Sequence, residues 1–162
     1  MTSLPPAVVA AVALTMTAVE PQSLPDFSGT WTMDRERSES LHQSQPIEPP
    51  TLVITQTEGE FTIETRRSTS TTRTVYAIGP RSSAGTATPA GASRAYWDGA
   101  ALVTEGARTV QGQTVSVRET RTLDDSGSEM TVQTLLVVQH GYSFRGAQNY
   151  GASKDVFRRV TP

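Results

Sequence analysis

The sequence predicts an antiparallel all-β domain: an up-and-down meander of eight to nine strands that closes into a barrel. Three observations predict it. From Thr51 onward, Thr and Val recur in segments of two-residue periodicity. Gly99, Gly112, Gly127 and Gly141 then punctuate the chain about 13 to 15 residues apart. No window of a dozen residues within the domain sustains a helical period. Branching at Cβ stiffens Thr and Val and suits them to a pleated surface. Closure follows from the hairpin count, because a barrel removes the edges that an open meander leaves exposed. An open, curved sheet or a sandwich is the competing architecture.

The elements are justified in chain order. Ala7–Val19 is an apolar run of about 13 residues, too short to span a bilayer and the length of a signal-peptide core. Residues 1–19 are therefore expected to act as an export signal for a secreted or periplasmic protein. The basic flank of such a signal is missing, since no Lys or Arg precedes Arg35. Residues 20–25, with Pro21 and Pro25, read as a linker, and residues 26–162 as the barrel domain. Phe27, Gly29, Trp31 and Met33 share one face of a first strand. Asp34–Glu39 has the length for one helical turn, and the prolines between His42 and Pro50 mark an irregular crossing over one end of the sheet.

Leu52–Ile54 turns at Glu58-Gly59 into Phe61–Thr65, and a further strand covers Thr71–Ile78. The Ser-, Gly- and Ala-rich piece 81–91 reads as a loop. Asp98-Gly99 is the strongest hairpin signal, with both residues expected at the positive-φ centre of a two-residue turn. Val115, Val117 and Leu123 alternate on one strand, and Met130, Val132, Leu136 and Val138 on the next. Asp155–Val160 reads as the closing strand, and 141–151 as a loop before it.

Composition narrows the function classes. A chain of 162 residues carries one core without metals or covalent staples. The net charge of −2, with scattered basic residues, leaves no footprint for nucleic acid. The absence of cysteine excludes disulfides, thiolate chemistry and a thiolate metal site. Aromatics are only 6% of the residues, so each large anchor matters more than usual.

Phe27-Ser28-Gly29-Thr30-Trp31 with Asp34, the hairpin Tyr96-Trp97-Asp98-Gly99 and the closing Val156-Phe157-Arg158-Arg159 together resemble the lipocalin-like, or calycin-type, small exported bacterial proteins. The resemblance implies that Trp31 closes one end of the barrel and that a late arginine, Arg158 or Arg159, packs across its ring. Alternation groups Arg159 with the bulky Phe157, which favours Arg159. A guanidinium over an indole contributes about 0.5 to 2 kcal/mol, and its remaining donors can cap carbonyls.

Candidate binding residues follow from the same alternation. Glu119 and Arg121 lie on the side of Val115, Val117 and Leu123, so two opposite charges enter the interior if that side faces in. They then pair with each other, with Arg108 or with a ligand, because an unpaired buried charge costs several kcal/mol. An exposed cross-strand charge ladder is the alternative. Tyr76 and Tyr96 are expected near a pocket mouth, and the aromatics of 141–151 over the open end.

His42 and His140 are too few for a zinc site without carboxylates, and both fit solvated turns. No Gly-x-Ser-x-Gly elbow, phosphate loop or paired-His helix is present, so the sequence offers no catalytic set, no metal site and no cofactor. The leading expectation is a barrel holding a small apolar or amphipathic molecule. The alternative is a fully packed barrel whose surface meets a partner. An interior void above about 300 Å³ separates the first from the second.

Overall fold

A computed structural model describes residues 23–44, 46–81, 91, 93–110, 113–139 and 149–161. Within these, the side chains of 108–110, 113, 137–139, 149 and 150 are left undescribed. The strands are β1 Gly29–Met33, β2 Thr51–Gln56, β3 Glu60–Arg66, β4 Thr71–Ile78, β5 Ser93–Asp98, β6 Ala101–Val110, β7 Gln113–Leu123, β8 Glu129–Gln139 and β9 Asn149–Arg159. One 3-10 turn, Glu39–Leu41, lies between β1 and β2. Neighbours in sequence pair along the sheet, and β9 returns to β1, so the barrel is closed.

One junction departs from the meander. β4 and β5 run parallel, whereas every other pairing is antiparallel. Parity explains it. Strand direction must return to itself around a ring, so the number of antiparallel junctions is even, and nine strands leave at least one junction parallel. The parallel contact is short, with Ala77 opposite Arg94 and Ile78 opposite Ala95. The amide of Gly79 adds a bond to the Ala95 carbonyl at 3.0 Å. Most of the connection that the sequence reads as a Gly- and Ser-rich loop lies outside the described residues, as do residues 1–22.

The core fills one end of the barrel. Trp31, Phe27, Phe61, Leu102 and Met130 are fully buried there. Phe27 meets Phe61 edge-on at 6.2 Å between ring centroids and Trp97 at 6.1 Å. Burying each such side chain contributes about 1.5–3 kcal/mol. Registers continue the inward row around the ring: Trp31 faces Leu52, Ile54 faces Ile63, Phe61 faces Tyr76, and Met130 faces Phe157.

Three local expectations are corrected. The β5–β6 hairpin turns on Gly99-Ala100, with Asp98 still paired to Ala101, so Asp98 ends the strand and is not a central turn residue. Gly99, at φ +62°, holds the first central position, where primed turns need a positive φ. Tyr150 and Gly151 belong to β9 and not to a loop, because β8 needs partners along its whole length and pairs Val138 with Asn149. The segment after β1 forms its short turn at Glu39–Leu41, at the far edge of the stretch expected to be helical.

Candidate functional site

At the closed end, Arg159 lies over the Trp31 ring, 4.3 Å from its centroid. Its Nε donates to the Gly127 carbonyl at 2.8 Å, Nη2 to the Asp26 carbonyl at 2.9 Å, and Nη1 to the Ser28 carbonyl. Trp31 Nε1 donates to the Phe27 carbonyl at 2.9 Å. Gly29 makes room for this cap. Its φ is +132°, and a Cβ there would meet Arg159 Nη1 at 3.0 Å. Arg158 points outward, pairing with Asp34 at 2.9 Å with most of its side chain in solvent.

Toward the end that carries the 34–50 crossing, the interior turns polar. Glu119 faces Thr104 on β6 and Thr134 on β8, and Arg121 faces Leu102 and Val132. The two charges pair, Arg121 Nη2 with Glu119 Oε2. Arg121 Nη1 donates to Thr104 Oγ1 at 2.7 Å, and the guanidinium sits 5.6 Å from the Phe61 centroid. The Arg121 side chain is 3% exposed and that of Glu119 28%. Arg121 Nε is the one buried side-chain N or O atom among the described residues without a hydrogen-bond partner. Buried polar atoms left so are uncommon in folded proteins.

Two cavities meet at this cluster. One, of about 450 Å³, is walled by Met33, Leu52, Ile63, Val132 and Phe157 as well as by Glu119, Arg121 and Asp155, with Ile47, Pro50 and Arg67 among its other lining residues. The other, of about 350 Å³, lies between β4 and β7 and is lined by Ser93, Gly106, Val115 and Val117. Thr74, Tyr76 and Glu119 line both. Burial pushes the Tyr76 phenol above its ordinary value, and the Glu119 charge adds to this, so Tyr76 keeps its proton at neutral pH.

Asp155 is a member of this lining that the sequence reading missed. It is buried, and its two oxygens accept from Ser40, from the amide at 3.0 Å and the hydroxyl at 2.5 Å. Ser38 exchanges bonds with Val156 at 3.0 and 3.2 Å, so the 3-10 segment is fastened to β9 at the mouth. A signal for Asp155 existed, since alternation places it with Phe157 and Arg159 on the inward side.

Tyr96 is corrected. It lies on the outer face, in the opposite phase to Ala95 and Trp97, and lines neither cavity. It is nonetheless buried, donating to Glu105 at 3.2 Å and accepting from Arg118 at 2.5 Å. Glu105 also pairs with Arg94 at 2.6 Å and Arg118 at 3.0 Å. Burial alone would raise the Glu105 carboxyl, but its bond to Arg94 and the charges of Arg94 and Arg118 outweigh this and hold it below the usual range. The strands carry the Arg108 backbone opposite Val115, and its side chain lies outside the description. His42 is exposed, with Nε2 at 3.1 Å from the Arg35 carbonyl. His140 and the aromatics Tyr142 and Phe144 lie outside the described residues. No cluster of metal-ligating side chains occurs among the described residues, and no helix there is long and apolar enough to cross a membrane.

Fold and site together define a closed nine-stranded β-barrel, capped at one end by an arginine over a tryptophan and hollow at the other around a partly buried ion pair. No family model matches the chain, and no curated protein sequence matches it. Among solved structures it is similar to the fluorescent protein UnaG, at 16% identity over 83% of this chain and 97% of that one, with a TM-score of 0.46. It is also similar to the REP1-NXSQ fatty acid transporter, at 12% identity over 84% and 97%, with a TM-score of 0.41.

Proposed function

We propose that this protein is a lipocalin-like binding protein that holds one small apolar or amphipathic molecule inside its barrel. The observation that carries the reading is the cavity of about 450 Å³, apolar on one wall and centred on the Glu119–Arg121 pair. Small-molecule sites are concave pockets of about 300 Å³ and more with convergent polar groups, and the larger share of polar lining here suits an amphipathic molecule in particular. A fully packed barrel acting through its surface would not keep such a void, because interiors otherwise fill to crystal-like density. The apolar run Ala7–Val19 supports a secreted or periplasmic setting, which N-terminal sequencing of the protein recovered from cell fractions would test.

The test of binding is native mass spectrometry of protein purified from its natural host, set beside the variant Thr74→Trp, whose indole would project into the space that both cavities share. A retained small molecule in the natural protein, absent from the variant, is the expected result. An empty barrel that takes up nothing from a panel of lipids and haem would end the proposal.

A further inference from the structure

We propose, resting on the binding role above, that the bound molecule meets the Glu119–Arg121 pair with a neutral group that both accepts and donates hydrogen bonds, such as an amide or lactam edge, and not with a carboxylate or an ammonium group. Charge accounting in the cavity leads there. Its charged lining residues are Arg67, Arg121, Glu119 and Asp155, two cations against two anions. At the pair itself the charges are already engaged: Arg121 pairs with Glu119 and Asp155 takes both its bonds from Ser40, while Arg67 stands just beyond the end of β3. A carboxylate head that met Arg121 would therefore stand beside Glu119 and find that cation already neutralised. An ammonium head would likewise carry an unmatched charge into a balanced site, and an unmatched charge out of water is strongly disfavoured.

Hydrogen-bonding capacity, by contrast, is left over. Arg121 Nε has a proton and no acceptor, on a side chain 3% exposed that lines the cavity. Glu119 uses Oε2 for both Arg121 and Thr104, so Oε1 remains to accept. The Tyr76 hydroxyl lines the same space but is already hydrogen-bonded with Thr104, so it frames the pair without adding a free donor. A carbonyl oxygen toward Arg121 Nε and an N–H toward Glu119 Oε1 would satisfy both without adding charge. The apolar remainder of the molecule would lie against Met33, Leu52, Ile63, Val132 and Phe157.

The experiment is isothermal titration of the full chain at pH 7.5 with three ligands of one chain length, dodecanamide, dodecanoate and dodecylammonium, with Nile red uptake measured in parallel. Dodecanamide is expected to bind at least about tenfold more tightly than either charged ligand. In Glu119→Gln, which frees the Arg121 charge, dodecanoate is expected to gain at least about tenfold. Dodecanoate binding the natural chain as tightly as dodecanamide would overturn the proposal, and so would a folded Glu119→Gln that gains nothing for dodecanoate. If Glu119→Gln does not fold, the order of the three ligands on the natural chain decides alone. Nile red uptake without binding of any dodecyl ligand overturns the neutral-head assignment only. Loss of both signals overturns it together with the binding role.

Discussion

Single residues set the two ends of this barrel, and the closed end is where the sequence was most informative. Gly29-x-Trp31 and a late arginine were legible because each does one demanding thing: the glycine adopts φ +132° beside the guanidinium, and the arginine caps carbonyls from three places in the chain. Arg159→Ala should therefore cost about 2–4 kcal/mol, combining lost charge-assisted bonds with the ring contact. Arg158→Ala, which removes only a largely exposed ion pair, should stay within about 0.5 kcal/mol. Urea unfolding of the two variants checks this, and equal losses would show that the cap carries no special weight. Gly29→Ala should lose about 1–3 kcal/mol in the same assay, from left-handed strain and contact with Arg159.

The inward charges were legible as a pattern but not as a geometry. Alternation put Glu119 and Arg121 on the apolar side of β7, yet it could not show that Thr104 on β6 would complete the pair, since that depends on the register of β6 against β7. Removing one partner of a buried pair leaves the other uncompensated. Glu119→Gln should cost about 1–3 kcal/mol, below the range for a fully buried pair because Glu119 keeps some solvent contact. A loss under about 0.5 kcal/mol in chemical denaturation would mean that the charges behave as a surface ladder.

At the scale of strands, two-residue periodicity placed a strand at about Thr71–Ile78, which is β4, because Gly79-Pro80 marks where it must end. It failed for the start of β9, where Tyr150 and Gly151 look like loop residues and only the pairing with β8 makes them strand. The β4–β5 junction was also hidden, since two paired residues leave no periodic trace. Cross-strand pairs on the outer face were hidden for the same reason: Tyr96, Glu105 and Arg118 come together only through the β5–β6–β7 registers.

That outer cluster makes a pH prediction. The folded Glu105 carboxyl lies below its ordinary value of 4.5, so its pairing stabilises the fold fully above that pH and is lost as pH falls through the folded value. Glu105→Gln should be about 1 kcal/mol less stable than the natural chain at pH 7, and the gap should close in acid. Melting curves from pH 7 to about pH 3 would show it. A gap that stays constant with pH would mean the cost is one of packing.

For the molecule as a whole, closure decides more than any element does. A ring of nine strands cannot be antiparallel throughout, so strand count and closure together imply at least one parallel junction, although neither residue pattern nor turn chemistry shows that it falls between β4 and β5. Closure also makes the interior a shared resource. The core residues fill one end, and the polar residues of β4, β6, β7, β8 and β9 leave the other end hollow. A hollow barrel is less stable than a filled one, because its lining lacks partner atoms for dispersion contacts. Any molecule that fits therefore binds the folded state and not the unfolded chain, and must raise the melting temperature by mass action. At a free concentration of 100 times Kd the gain is about 2.7 kcal/mol, which for a chain of this size corresponds to a rise of about 5–10 °C. Thermal scans of the natural chain with the tightest ligand of the dodecyl series should show that rise growing with ligand concentration. Thr74→Trp should show a much smaller one, its indole already occupying the shared space. Equal rises in both proteins would place the ligand outside the cavity and leave the hollow end without an occupant.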